Sequence, residues 1–422
     1  MTDLLIRDLA QVATPGGSGP LRGASVRDVR VIDDGFVLCR GGQIVAVGAM
    51  RDLTATLGRG EAAGAARVVD AAGGDLEEID GRGLSAIPGL VDCHTHACFG
   101  GDRVNEFSLR AGGASYEELH AGGGGILSTV RATRAASEAE LAAITARHRS
   151  WMRAHGTTTF EGKSGYGLDH DTELAQLRAV RAAGGIPTWL GAHTVPPEFE
   201  DGDTYIDFLL AEVLPDACQV ADAADVFLER GSFDADQSRR YLEACRDAGL
   251  ALRLHGDQFT ESGAIGLAIE LGARSVDHLE ATRSAGVAQL AASDVAGVLL
   301  PASALFLGRP MPPGRALVDA GALVALATDF NPGSAFCDSL PLVLSLACTQ
   351  LKLAPEEALV AATVNAAHVL GRVHRLGRLE PGYAADIVLL DALDWRHVAY
   401  HLAGDVVHTV VEDGAVSFRR TA

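Results

Sequence analysis

The chain predicts an α/β fold, a parallel (β/α)8 barrel accompanied by a small β-domain assembled from both chain ends. Two observations carry this expectation. The middle of the sequence alternates a short apolar run with an amphipathic segment eight times over, the pattern of a parallel sheet wound with helices. Both ends are written differently, as short β-rich runs separated by turn residues, and chain termini often lie close together. The boundaries read from this change of style are 1–86 for the N-terminal part of the β-domain, 87–374 for the barrel and 375–422 for the C-terminal part.

Taken in order, residues 26–49 (VRDVRVIDDGFVLCRGGQIVAVGA) carry β-rich runs broken at Asp-Asp-Gly and Gly-Gly, which predicts hairpins. The eight barrel strands are then GLVDCHTH, TTTFEG, IPTWLGAH, DVFLER, ALRLHGDQ, SVDHLE, AGVLLPAS and LVALATDF. Between the first two lies SEAELAAITARHRSWMRAHG, where Ser137 and Glu140 have capping-box spacing and Gly156 is a natural helix stop. The C-terminal runs ADIVLLD, VVHTVVEDG and AVSFR return to the first style.

Thirty-five basic residues against 55 acidic ones give a net charge of −20, which argues against nucleic acid and anionic membrane as partners. A small anionic substrate stays admissible, because one arginine in a pocket outweighs distant screened charge. Seven cysteines without any CxxC pair, among them Cys39, Cys245 and Cys348 in apolar-patterned segments, read as buried thiols of a reducing compartment. The first residues lack a basic region followed by an apolar one, and no apolar run approaches the ~20 residues of a membrane span. A cytoplasmic location is expected.

Nearly every predicted strand ends in an ionisable group: His94 and His96, Glu161 with Lys163, His193, Glu229, His255, His278, Asp329. In a barrel those ends converge on one face, where active sites are built. His94 and His96, two apart on a strand, point to the same side and can present both imidazoles to one ion; a hydrogen-bonded strand end is the plain alternative. His255 after the fifth strand and Asp329 after the eighth shift the balance, since three imidazoles and a carboxylate form a donor set suited to Zn2+ or iron.

PGLVDCHTHACFGG, HGDQF, VDHLE, ATDFNPGS and GYAADIVLLD together resemble the metal-dependent amidohydrolase superfamily. Within it, CHTHACFGGDRVNEFSLRAGGASYEEL, GGGGILSTVRATRAAS, EGKSGYGLD and GAHTVPPEF are similar to the imidazolonepropionase family, from about residue 80 to residue 390. The resemblance implies a TIM-like barrel with a composite β-sandwich, one Zn2+ or Fe3+ ion per subunit, usually a homodimer, and hydrolysis of 4-imidazolone-5-propanoate to N-formimidoyl-L-glutamate. It implies His94, His96, His255 and Asp329 as metal ligands, with Asp329, His278 and Gln258 at the reacting centre. A coordinated water would be the nucleophile, its pKa lowered from 15.7 to about 7. Some family members carry a carboxylate where Gln258 stands, and an amide can only orient water or substrate by hydrogen bonds.

The same resemblance assigns substrate contacts to Arg103, Tyr166, His193, Gln258, Asn331, Gly333 and Ser334. Arg103 would pair with the substrate's propionate, which suits a guanidinium fork; alone, it would read as a solvated loop charge. Tyr166 alone would read as a packing residue, and Asn331 to Ser334 as a plain Asn-Pro-Gly turn. Binuclear relatives bridge two metals with a carboxylated lysine on the fourth strand, but Lys163 lies on the second, so one metal is expected, with Glu229 kept as a candidate for a second. Gly122 to Gly125 lack the following GK[ST] of a phosphate loop and read as a lid hinge or close-packed turn. Arg131 and Arg134 would reach a partner subunit or solvate a helix. Two other readings share much of this pattern: a deaminase or other cyclic amidase with the same metal set, and a catalytically dead barrel, which would be expected to have lost ligands.

Overall fold

The computed structural model describes residues 3–58, 76–113 and 125–421. In chain order its strands are β1 (Asp3–Pro15), β2 (Val29–Arg40), β3 (Gln43–Ala49), β4 (Leu76–Asp80), β5 (Ser85–Pro88), then β6 (Leu90–Asp92), β7 (Thr157–Lys163), β8 (Ile186–Ala192), β9 (Ala223–Leu228), β10 (Ala251–Gly256), β11 (Ser275–His278), β12 (Ala296–Leu299) and β13 (Val324–Leu326), and finally β14 (Ile387–Leu390), β15 (Val407–Glu412) and β16 (Ala415–Arg419). Contacts divide the chain into two compact units, one of Met1–Val91, Met152–Thr159 and Ser339–Ala422, the other of Asp92–Trp151 and Phe160–Asp338. The helices Leu340–Thr349, Pro355–Val360 and Ala366–Val369 therefore group with the chain ends by contact, whereas the sequence pattern counts them with the barrel.

The first unit holds a mixed sheet drawn from both ends of the chain, in the order β16-β15-β14-β5-β1-β2-β3, with β4 also paired to β1. Strand periodicity sorts its apolar residues: Leu4 and Ile6 enter one core with Val37, Ile387 and Leu389, while Leu5 joins Phe36, Leu38 and Leu53 on the opposite face. Gly41 and Gly42, at φ +57° and +81°, form the two-residue turn between β2 and β3. The Asp33-Asp34-Gly35 break expected from sequence is no turn. It lies within β2, where Asp34 takes φ +49° while the pairing runs regularly from Leu9–Gly35 to Gln11–Asp33; the extra residue of the adjoining register shift is on β1, between Ile6 and Leu9, and β2 continues.

The eight strands β6 to β13 form one parallel sheet in sequential order. Backbone bonds beyond the strand ends bring its edges together: Asp329 N donates to His94 O (3.1 Å) and His96 N to Phe330 O (2.9 Å). The barrel is thus nearly closed where two of the candidate ligand segments meet. The Asp92 side chain ties the same seam by accepting from Thr328 N (3.1 Å) and Oγ1 (2.6 Å). On the helix Glu138–Ala154 the predicted capping box is present, with Ser137 N donating to Glu140 Oε2 (2.8 Å) and Glu140 N to Ser137 Oγ (3.3 Å). No helix among the described residues is long and apolar enough to cross a membrane.

Candidate metal centre and active site

His94 and His96 follow β6, His255 lies on β10, and Asp329 follows β13. Parallel strand direction puts all four at the same end of the sheet, and their side chains converge. Asp329 Oδ1 lies 3.6 Å from both His94 Nε2 and His96 Nε2, and His255 Nε2 lies 3.4 Å from His96 Nε2. Two overlapping triads sharing His94 bring their donor atoms within 4.8 Å of one another: His94, His96 and Asp329, and His94, His255 and His278. His278 is therefore as close to the cluster as the four residues expected to form it.

The donor set fits a transition-metal ion. Burial and neighbouring cationic groups hold His94 and His96 well below the ordinary imidazole range, and burial takes His255 down to about 3, so each ring offers a lone pair. His94 Nε2 is buried without a hydrogen-bond partner and faces its neighbours. Each orphaned nitrogen in an apolar interior is costly, and a cation among them removes that cost.

Sequence reasoning missed the layer behind the donors. His94 Nδ1 lies 2.5 Å from Asp277 Oδ2, and His255 Nδ1 lies 3.0 Å from Asp225 Oδ1, so carboxylates engage the far nitrogen of both rings and leave Nε2 facing inward. Burial opposes ionisation of Asp225, but His255 and Lys163 more than offset it and keep the carboxyl below its ordinary range. Burial raises Asp277, with Lys163 countering. One signal for these residues was present: ionisable side chains inside otherwise apolar strand runs.

Three site residues carry left-handed backbone, Asp257 at φ +53°, His278 at +85° and Asp329 at +56°. Such conformations cost a non-glycine residue on the order of 1–3 kcal/mol and persist only where packing enforces them. Asp257 shows how: its Oδ1 accepts from Ser262 N (2.8 Å) and its Oδ2 from Thr282 Oγ1 (2.9 Å). That loop carries Gln258, and Glu229 fixes its other side by accepting from Phe259 N (2.8 Å) and from the Thr260 amide and hydroxyl. Glu229 thus holds a loop and stands outside both triads. Burial tends to neutralise His278, but Glu280 beside it, with Asp329 and Asp277, more than reverses this and raises its pKa.

The donors open into a cavity of about 720 Å3 lined by Arg103, Tyr166, His193, Gln258, His278, Asn331, Gly333 and Ser334 as well as His96, His255 and Asp329. Every residue assigned to substrate from the sequence thus faces one space. Arg103 Nε donates to Glu106 Oε2 (2.8 Å) and its Nη2 to Glu106 Oε1, and its guanidinium packs so closely on Gly333 that a Cβ there would collide with it. Burial pushes the Glu106 carboxyl up, while Arg103 and the Gly125 amide (2.9 Å) more than reverse this and hold it below the usual carboxylate range. Arg110, Arg230 and Arg309 also line the cavity, so cationic groups gather there despite the acidic chain.

Tyr166 sits in a loop held from behind. Glu173, fully buried, accepts from the amides of Gly165 (3.1 Å), Gly167 (2.9 Å) and Leu168 (2.8 Å), and Gln176 Oε1 accepts from Tyr166 N (3.2 Å). Arg134, left open from sequence, donates to Gly167 O (2.6 Å) and pairs with Asp169 and Glu198 within the chain. His193 Nδ1 donates to Gly165 O (2.9 Å); burial takes this ring down to about 4, so its Nε2 is an acceptor. Asn331 closes its own turn, its Oδ1 accepting from Gly333 N (2.8 Å) and Ser334 N (2.7 Å). Of the glycine run, Gly122 to Gly124 lie outside the described residues. Cys39 and Cys245 are buried and Cys348 is partly exposed, each an unbridged thiol.

A nearly closed parallel barrel with histidines and an aspartate converging at its C-terminal end defines a barrel hydrolase built around a candidate metal site. The Amidohydrolase family model matches residues 85–416. An imidazolonepropionase from Rubrobacter xylanophilus is 58% identical over 421 residues, covering 98% of each chain, and one from Deinococcus radiodurans is 44% identical over 420 residues, covering 98% of this chain and 100% of its own. Among solved structures, a zinc-bound adenosine deaminase from Xanthomonas campestris superposes at a TM-score of 0.67 and 19% identity, covering 99% of this chain and 93% of that one. An E. coli guanine deaminase does so at 0.68 and 14%, covering 100% of both. The chain belongs to the amidohydrolase family and, within it, to the imidazolonepropionases.

Proposed function

We propose that the chain hydrolyses the cyclic amide of 4-imidazolone-5-propanoate to N-formimidoyl-L-glutamate in histidine degradation, with one Zn2+ or Fe3+ ion held by His94, His96, His255 and Asp329. The observation that carries this reading is that a guanidinium, Arg103, and the His/Asp cluster open on the same cavity. A carboxylate-bearing ring can span the two, its propionate at Arg103 and its carbonyl beside the cluster.

When bound, the ion would supply Lewis acidity, polarising the carbonyl and lowering the pKa of a water to about 7. The protein's own groups supply the rest. Asp329 Oδ1 faces His94 and His96, while its Oδ2 lies 3.4 Å from Ser334 Oγ and is the oxygen free to move a proton. That oxygen is placed to accept a proton from water and return it to the ring nitrogen as the C–N bond breaks. His278, its pKa raised, donates to the carbonyl oxygen as negative charge builds there. Gln258 orients the ring through its amide, and His193 Nε2 accepts from a ring N–H. The water oxygen ends in the new carboxylate and the ring nitrogen in the formimidoyl amidine, so atoms and charge balance.

Ultraviolet loss of freshly prepared imidazolone propionate on adding metal-replete protein, abolished by chelator, is the expected result. No turnover by metal-replete protein refutes the substrate and leaves the family. The same reading makes the enzyme a cytoplasmic homodimer, in keeping with its free thiols, and sedimentation checks the dimer.

A further inference from the structure

A charged layer that the proposed reaction does not use lies behind the donor cluster. Lys163 ends β7 fully buried, with Nζ 2.7 Å from Glu161 Oε1, 2.8 Å from Asp225 Oδ2 and 3.9 Å from Asp277 Oδ2. Arg253, on β10, brings a second cation 2.8 Å from the same Glu161 oxygen. Burying a lone ammonium or carboxylate costs several kcal/mol, so these groups are sustainable only as a set.

Asp225 is the member with two faces. Its Oδ2 receives the Lys163 ammonium, and its Oδ1 receives both Nδ1 (3.0 Å) and the backbone amide (3.1 Å) of His255. The carboxylate plane is thereby fixed from both sides. With Nδ1 committed to Asp225, the only lone pair His255 can offer an ion is Nε2, which faces His96 Nε2 at 3.4 Å. Strand register builds this chain: Arg253 and His255 lie two apart on β10, opposite Asp225 and Phe227 of β9.

We propose that Lys163 is a positioning residue for the metal ligand His255, acting through Asp225. Without the ammonium, Asp225 would keep its bond to His255 but lose the contact that fixes its plane, and it would face Glu161 and Asp277 with one cation fewer. The imidazole would then be held less firmly in the orientation an ion requires. Lys163 is not a carboxylated bridging ligand: its Nζ already donates to two carboxylates, and a carbamate would add an anion to a buried site that holds three. The inference rests on His255 being a ligand and on nothing about the substrate.

The test is Zn2+ affinity of the full chain, measured by competition with a chromophoric chelator, together with the visible spectrum of the Co2+-loaded protein. K163M and D225N are each expected to raise the Zn2+ Kd about 10–100-fold, and each to shift the Co2+ absorption bands. If Lys163 acts through Asp225, the double variant K163M/D225N binds Zn2+ within about threefold of D225N alone. Should K163M fail to fold, the double variant, which removes one charge of each sign, still gives this comparison. Equal multiplicative losses in the double variant, or a K163M protein with lowered Tm but unchanged Zn2+ Kd and Co2+ spectrum, would make Lys163 a structural ion pair and overturn the proposal. Since no substrate enters the measurement, failure of the hydrolysis reading leaves this result interpretable.

Discussion

Replacing Arg103 by alanine is the perturbation that most directly probes the substrate reading. Nε and Nη2 of its fork are engaged by Glu106, which leaves Nη1, beside Gly333, as the arm that can reach a propionate without rearrangement. A charge-assisted hydrogen bond contributes about 1.5–3 kcal/mol, and a side chain only 15% exposed keeps much of that. Alanine also leaves the Glu106 carboxylate, at 12% exposure, without its guanidinium partner and facing the incoming anion, at a cost of about 1 kcal/mol. The sum is about 3 kcal/mol, or about 150-fold in KM, with kcat changed far less because the contact is the same in ground and transition states. Steady-state kinetics across the cycle of R103A, E106Q and the double variant separates the two contributions. E106Q alone is expected to lower KM by freeing the fork, and adding it to R103A should recover about fivefold. An R103A enzyme with unchanged KM, or an E106Q enzyme impaired as severely as R103A, refutes the reasoning.

Further outcomes follow from the same geometry. H255A removes the donor that joins His94 and His278 in one triad and lies 3.4 Å from His96 Nε2, and it should abolish stoichiometric metal binding in an equilibrium-dialysis assay while leaving the far-ultraviolet circular dichroism intact. E173A leaves the amides of Gly165, Gly167 and Leu168 without their buried acceptor, so we expect a loss of about 3 kcal/mol in denaturant unfolding and a raised KM from the slackened Tyr166 loop. Asp386, buried in the first unit, has its carboxyl pushed up to about 6 by that burial. A folded-state pKa above the unfolded value of about 3.9 means that its contribution is complete below pH ~4 and is lost as pH rises through about 6. D386N, which keeps an oxygen to accept from Asp413 N (2.9 Å), should therefore stabilise the chain above pH 6 by about 3 kcal/mol and change little at pH 4, read from thermal melts at the two pH values.

The barrel was legible in the sequence because nearly every one of its strands is a short apolar run ended by an ionisable residue, and parallel connection forces those endings to one side. His94, His96, His255 and Asp329 could be named for that reason: each stands at a position where polarity interrupts a buried pattern. The β-domain was legible in outline only. Asp33-Asp34-Gly35 has turn composition, but whether such a stretch reverses the chain or runs on depends on what lies opposite, and here β1 pairs with it in regular register, Leu9 to Gly35 and Gln11 to Asp33.

What stayed hidden was pairing. Glu161 with Lys163, Asp225, Arg253 and Asp277 are visible as charges inside apolar runs, yet their meaning rests on register, since β9, β10 and β11 set Asp225 beside Arg253 and His255 beside Asp277. A one-residue slip would turn each of those side chains to the other face of its strand and leave several charges buried without partners. The ion-pair layer therefore constrains register as well as the donors above it, because only one alignment satisfies every member. The same reasoning applies to Arg103: only the family resemblance pointed it to a pocket, and Glu106, three residues on, was not singled out. That it holds two arms of the fork becomes visible once the helix Val104–Ala111 is built and Gly333 closes on the other side. The guanidinium thus has two arms held by Glu106, and Nη1, beside Gly333, is the arm left for the carboxylate of the proposed substrate. On the proposed reading such a site discriminates by charge and reach together, which favours a carboxylate on a short flexible arm over one fixed to the ring.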